Sequence, residues 1–415
     1  MNLIKPETVG LSSDRLKRIS DLTKSYVGTN HFAGASSFVA RRGEVVHFDC
    51  QGMMNLDTGN SIQEDTIFRI YSMTKPVTSV AAMILLERGL FQLDTPITKF
   101  LPEFKDMEVF VSGTVEDYKT VRADRDITIV DLMTHTSGLT YDFLGNGVVE
   151  ELYQRNGLVI TKDEHSFEGF LKLLGKMPLH FSPGTKWNYS LSTDVLGYLI
   201  EVVSGKPLNT FFKEEIFEPL GMVDTDFYVP ESKWNRFATT YIHKSMVAQT
   251  QRNAFPDKTL FPYDSDEWGV YHKLPLKCAG GGGLVSTIPD FYKFTEMLLN
   301  KGRGGKDNIL SSKSIELMTS NFLPMDVRDY AAFDLGATMP AGYGFGLGFA
   351  IMLDPTKAHY LGTPGEYAWS GAAHTSFFVD PREELIGIYM TQVFPSGYYN
   401  ILNQFKQAVY QSIIV

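Results

Sequence analysis

The sequence predicts an α/β protein of the α+β kind, with an antiparallel sheet flanked by helices and a mostly helical segment inserted between the two parts of that sheet. Three observations predict it. Hairpin-like strand patterns lie near both ends of the chain, a strong helical pattern follows the first of them, and the long middle has short helical patterns and many loops. At 415 residues the chain is longer than one hydrophobic core usually reaches. The expected division places residues 1–92 and 277–415 in the sheet-bearing part and 93–276 in the insertion.

The elements follow in order. Beta-favouring stretches at Ser37–Ala40 and Val45–Phe48 flank Arg42-Gly43, which suggests a hairpin. Val77, Val80, Ala81, Ile84 and Leu85 then repeat at helical spacing, with Gly89 as a C-terminal stop. In the middle, Val195–Val203 reads as a helix closed by Gly205 and Pro207. Phe345–Leu353, Tyr367–Trp369, Thr375–Val379 and Leu385–Val393 read as strands, and a helical pattern from about Tyr399 to Ile414 closes the chain. No repeat of solenoid length is visible.

Composition narrows the function. Hydrophobic residues make up 43% of the chain and charged residues 21%, as in ordinary globular proteins. A formal net charge of -10 disfavours nucleic acid and anionic membranes, since both are bound through basic surface. The N-terminus lacks a basic region followed by an apolar stretch, and the longest apolar run, Val80–Leu86, is too short to span a bilayer. Cys50 and Cys278 are expected to be free thiols, which fits a cytoplasmic protein. His-Glu-x-x-His, Cys-x-x-Cys, EF-hand, Walker A and complete Gly-x-Gly-x-x-Gly patterns are missing, so neither a metal nor a cofactor is expected. Gly-x-Ser-x-Gly is missing as well, which argues against an ordinary alpha/beta-hydrolase.

The chemistry concentrates in three stretches. Ser72-Met73-Thr74-Lys75-Pro76 stands at the start of the first strong helix, where Pro76 is tolerated. Residues three apart share a helix face, so Ser72 should present its hydroxyl beside Lys75. Ser72 is the only serine in the chain with lysine at that spacing. A serine hydroxyl is a weak nucleophile until a base takes its proton, and a suitably buried lysine can do so. Amide N–H groups at the helix mouth favour a developing oxyanion. The second stretch, Trp187-Asn188-Tyr189-Ser190-Leu191-Ser192-Thr193-Asp194, precedes a helix and can point the Tyr189 phenol into a cleft. The third, Tyr367-Ala368-Trp369-Ser370-Gly371-Ala372-Ala373-His374, has small residues that let a substrate approach the strand backbone.

Together these stretches resemble the serine beta-lactamase and penicillin-binding-protein superfamily, whose Ser-x-x-Lys motif they share. Within it, the chain is most similar to the class C branch, and there to the family VIII carboxylesterases and related acyltransferases. Leu132-Met133-Thr134-His135-Thr136-Ser137-Gly138-Leu139, Gly280–Thr287 and Tyr343–Gly348 support the resemblance along nearly the whole chain. It implies a beta-lactamase/transpeptidase-like fold. It also implies nucleophilic attack by Ser72, with Lys75 and Tyr189 as general base and acid, and an oxyanion hole formed by the backbone N–H groups of Ser72 and Ala372. Tyr141, Asp194, Trp369, Ser370 and Gly371 match positions at the substrate pocket. Asp194 could alternatively cap its helix. His135 is expected to be a packing residue, and His374 to lie either near the pocket or on the solvent side of its strand.

Two departures from the beta-lactamase pattern bear on substrate. Leu191 stands where those enzymes carry a substrate-contacting asparagine, and Trp369 where they carry a sheet-edge lysine. The leading expectation is therefore hydrolysis of small or medium carboxylic esters through a Ser72 acyl-enzyme. Acyl transfer to another acceptor, lactam or D-amino-acid peptide hydrolysis, and a catalytically silent binding role are the alternatives. The expected partner is a small-molecule ester, with neither nucleic acid nor membrane; oligomeric state is left open by the sequence.

Overall fold

The computed structural model describes residues 1–158, 166–249, 253, 257–264, 269–305, 307–332 and 339–414. Parts of the expected insertion, including 159–165 and 265–268, lie outside the described residues.

Both ends of the chain build one sheet. From the N-terminal part come β1 (Gly34–Arg41), β2 (Glu44–Asn55) and β3 (Asn60–Ser61). From the C-terminal part come β4 (Tyr343–Phe345), β5 (Ala350–Met352), β6 (Tyr367–Gly371), β7 (Thr375–Asp380) and β8 (Leu385–Thr391). Their order is β4-β5-β6-β7-β8-β1-β2-β3, and every pairing is antiparallel. The first hairpin turns at Arg42-Gly43, both with positive φ, as a tight two-residue connection requires.

Strand alternation sends successive side chains to opposite faces, and here both faces are covered. On one face, Phe38, Phe377, Val379, Ile386 and Ile388 join the main core. On the other, Val39, Phe378, Leu385 and Tyr389 pack with residues of α1 (Ser13–Gly28) and of the C-terminal helix Ile401–Tyr410. The main core also takes in Leu132, Leu196 and Phe211, so the sheet and the intervening segment share one apolar interior.

The helix α2 (Thr74–Glu87) runs through that interior and is buried from Thr74 to Leu85 on all sides. It stops at Arg88, and Gly89 follows with φ +72°, the left-handed conformation that ends helices. The helix expected at Val195–Val203 is observed as α3 (Ser192–Ser204), closed by Gly205.

Three readings need correction. Phe345–Leu353 is not one strand: Gly346-Leu347-Gly348 forms a turn, with the Gly348 N–H donating to Met133 O, and β4 folds back on β5. Leu385–Val393 breaks at Gln392, whose side chain bonds both the N–H and the carbonyl of Arg69. The segment between the two parts of the sheet also contains hairpins, Glu108–Gly113 with Tyr118–Arg122 and Thr240–His243 with Leu260–Asp264. Neither Cys50 nor Cys278 is in a disulfide, and none of the described helices is long and apolar enough to cross a membrane.

Candidate active site

Ser72 lies in a 3₁₀ turn, Tyr71–Met73, that leads directly into α2. Tyr71, the residue before it, holds φ +45°. That left-handed backbone is uncommon for an aromatic residue and persists only where surrounding bonds enforce it. They do so here. Ile70 N–H donates to Leu284 O at 3.1 Å, Thr74 Oγ1 donates to Tyr71 O at 2.6 Å, and Thr375 Oγ1 donates to Ile70 O at 3.2 Å. Nearby, the Arg69 guanidinium is fully buried, pairs with Asp264 at 2.9 Å through two nitrogens, and lies 3.8 Å over the Phe237 ring.

Lys75, one helical turn on, is 1% exposed. Its Nζ lies 3.2 Å from Ser72 Oγ, 3.1 Å from Tyr141 Oη and 2.5 Å from Gly281 O. Tyr189 Oη lies 2.6 Å from Ser72 Oγ on the other side. The Lys75 Nζ also sits 4.5 Å from the centre of the Tyr189 ring. Two distant segments thus meet at the Ser72 hydroxyl, and Tyr141 and Gly281 join them at Lys75. Tyr189 is held by aromatic neighbours: His135 at 5.0 Å, Tyr141 at 5.3 Å and Trp369 at 5.7 Å between ring centres. His135 is buried, and its Nδ1 is bonded to Ser190 Oγ at 3.2 Å. Burial, with Lys75 adding to it, holds the His135 ring well below the ordinary histidine range, so it packs as a neutral group.

Behind Lys75 lies a second layer. Tyr141 Oη donates to Asp194 Oδ2 at 3.2 Å, and Gly281 N–H donates to Asp194 Oδ1 at 2.8 Å. Burial raises the Asp194 carboxyl, while Lys75 opposes that shift. Burial and the nearby Asp194 push the Tyr141 phenol well above its ordinary value. Gly281 is required by contact: a Cβ there would meet Asp194 Oδ2 at 2.4 Å. Asp194 is therefore not the helix cap, a position held by Leu191. It is also 1% exposed and reaches Lys75 through Tyr141, so its place is in the support of the lysine and not on the substrate.

The third stretch forms the edge of the site. β5 pairs with β6 only at Tyr367 and Ala368, so Trp369, Ser370 and Gly371 have β7 on one side and no strand on the other among the described residues. Ser370 is exposed and Trp369 half-buried against Tyr189 and Phe345. Gly371 presses on the loop that leads into Ser72, since a Cβ there would meet Ile70 O at 2.4 Å. Ala372 begins the turn that follows. His374 closes that turn and is fully buried, neither in the pocket nor on the solvent side. Leu191 is likewise buried in the main core at 1% exposure. Sequence reasoning missed the Gly281 carbonyl on Lys75 and the strained Tyr71. The Gly280–Gly283 run was the available signal for the first.

The Beta-lactamase family model matches residues 19–411. Protein Rv1367c of Mycobacterium tuberculosis is 35% identical over 367 residues, 88% of this chain and 86% of its own length. Esterase EstB of Burkholderia gladioli is 33% identical over 376 residues, 88% of this chain and 87% of its own. Among solved structures, EstCE1, described as a hydrolase with promiscuous acyltransferase activity, superposes with a TM-score of 0.78 at 25% identity. It covers 96% of this chain and 99% of its own. With a family model spanning nearly the whole sequence and a serine, lysine and tyrosine meeting at one oxygen, this chain belongs to the beta-lactamase family.

Proposed function

We propose that this protein hydrolyses small to medium carboxylic esters through an acyl-enzyme on Ser72. The observation that carries the reading is the placement of Ser72 Oγ between Lys75 Nζ at 3.2 Å and Tyr189 Oη at 2.6 Å. Ser72 Oγ has one proton to give, and the two groups that can receive it are both within hydrogen-bond reach. Ser72 Oγ bonds to the ester carbonyl carbon as its proton passes to the Lys75–Tyr189 pair. The carbonyl oxygen takes up the negative charge facing the Ser72 and Ala372 amides. Collapse breaks the bond to the alcohol, which leaves with that proton. Water then attacks the acyl carbon, gives its proton to the same pair, and Ser72 leaves as the hydroxyl.

The preference for esters rests on Trp369. Its ring packs on Tyr189 at the open edge of β6, so that edge presents an apolar wall where a charged side chain would hold a substrate carboxylate. A charge-assisted contact of that kind contributes about 1.5–3 kcal/mol. A second reading, acyl transfer to an alcohol, is favoured by the likeness to EstCE1, whose description includes that activity.

The test is a panel of p-nitrophenyl esters of increasing chain length, D-amino-acid amides and a chromogenic cephalosporin, each run with Ser72→Ala as the control. Esters should dominate by kcat/KM. Trp369→Lys should move the ester-to-lactam ratio towards the lactam by about 10- to 100-fold. Leu191→Asn is unsuited to this test, because it would bury an amide in the main core. A wild type that already prefers the cephalosporin, or an unchanged ratio in folded Trp369→Lys, would defeat the ester reading.

A further inference from the structure

The turn between β6 and β7 contains Ala372, Ala373 and His374, since Gly371 pairs with Thr375. Hairpins of this loop length end on a residue with left-handed backbone, a position that glycine fills without strain. Here it is His374, with φ +57°. The ring is fully buried and both of its nitrogens are engaged. Nδ1 lies 2.7 Å from Val393 O, and Tyr399 N–H reaches Nε2 at 3.3 Å.

These partners fix the ring's protonation. A carbonyl only accepts, so Nδ1 must carry the hydrogen. An amide N–H only donates, so Nε2 must offer its lone pair. The imidazole is therefore neutral, in one tautomer, and bridges the two ends of the Val393–Tyr399 loop. That loop is tied to the turn a second time, because Ser396 N–H donates to Ala372 O at 2.6 Å. The Phe32 and Tyr399 rings flank the imidazole at 5.8 and 5.9 Å. On its other side the turn is anchored beside the nucleophile, through Thr375 Oγ1 to Ile70 O.

We infer that His374 is a positioning residue, which clamps the β6–β7 turn onto the Val393–Tyr399 loop and thereby aims the Ala372 amide at the reacting carbonyl oxygen. The inference rests on the proposed assignment of that amide to the oxyanion hole. A histidine in a glycine-favoured conformation, with its ring sealed inside and both nitrogens bonded, is placed there for the bridge and not for the turn. The peptide plane next to the Ala372 carbonyl depends on how the turn is held, and oxyanion donors act only within a narrow range of distance.

The experiment compares wild type with His374→Gly and His374→Asn. Glycine relieves the backbone strain and removes both ring bonds. Asparagine tolerates the left-handed backbone, and its amide can still donate to Val393 O. Steady-state kinetics with a p-nitrophenyl ester are paired with the affinity of a phenylboronic acid, which forms a tetrahedral adduct on a serine oxygen. The expected result for glycine is a kcat loss of about 10- to 100-fold with KM nearly unchanged, smaller than the effect of deleting a donor outright. Boronate affinity should fall by a similar factor, and asparagine should recover part of both. Folded variants with wild-type kcat, a change confined to KM, or a kcat loss without loss of boronate affinity would overturn the inference. If glycine unfolds the protein, asparagine decides alone; unfolding of both would make His374 a folding residue and overturn it too. Ser72→Ala separates the two levels. Boronate binding that survives Ser72→Ala removes the nucleophile reading itself, whereas binding that needs Ser72 but ignores His374 removes only this inference.

Discussion

Lys75 and Lys406 both lie largely out of solvent next to tyrosine, and they are wired differently. Lys406, on the C-terminal helix, bonds directly to the Glu366 carboxylate and to Tyr343 Oη at 2.8 Å. Burial pulls its ammonium down, but Glu366 and Tyr343 more than compensate, and its proton is held more tightly than in an ordinary lysine. Lys75 has a hydroxyl, a phenol and a carbonyl around it, with Asp194 reached only through Tyr141. A lysine on a carboxylate is a fixed charge. A lysine among neutral groups, beside a serine hydroxyl, stands where the proposed mechanism needs its base. Burial of a lysine with tyrosine therefore does not mark a catalytic site. What distinguishes the Lys75 cluster is that its carboxylate stands one residue back and that a serine hydroxyl lies within hydrogen-bond reach of the ammonium.

The comparison can be broken first on the catalytic side. Lys75→Ala and Tyr189→Phe should each lower kcat/KM by about 10³-fold while the protein stays folded. The double variant should be scarcely worse than either, because groups acting as a unit are strongly non-additive. Losses that multiply in the double variant would mean that the two residues act independently.

Lys406→Met should do the opposite. It leaves Glu366 buried without its cation, and loss of one partner from a buried pair costs about 3–5 kcal/mol. Urea denaturation should show that loss, with kcat/KM within about threefold of wild type, since additivity holds for sites without shared partners. A large kcat/KM loss in a folded Lys406→Met protein would merge the two clusters that the comparison separates.

The smallest expected effect is a pH dependence. Tyr410 Oη contacts Glu366 Oε2 at 2.6 Å and Asp380 Oδ2 at 2.7 Å. Burial raises the Glu366 carboxyl despite Lys406. A carboxyl with a raised folded-state pKa contributes stability that is full below its unfolded value, near 4.3, and is lost as pH rises through the folded value. Glu366→Gln should thus be less sensitive to a rise in pH from 4 to 7 than wild type, as read by melting temperature. Equal slopes would show that Glu366 does not carry this dependence.

How much of this was legible in the sequence depends on the range of each interaction. Ser72 and Lys75 are one helical turn apart, so their meeting follows from local geometry alone. The sheet was legible because Phe38 and Val39, or Phe377 and Phe378, divide cleanly between two faces. Tyr189 could be singled out by its motif but not by its neighbours. The Tyr141–Asp194–Gly281 layer was hidden, because it joins three segments whose contact exists only once the core is packed. His374 was misread because strand periodicity governs exposed and buried faces, whereas its place is set by a left-handed turn and by a loop some twenty residues further on. Leu191 shows the same limit: a motif gives a position in the sequence, and packing decides what that position faces.

The most direct test of the central claim is to look for the covalent intermediate. Wild-type protein mixed with a slowly released ester and quenched in acid should gain the mass of the acyl group, and peptide mapping should place it on Ser72. Ser72→Ala should gain nothing and turn over no ester. Acylation of any other residue, or equal labelling of the Ser72→Ala protein, would contradict the account.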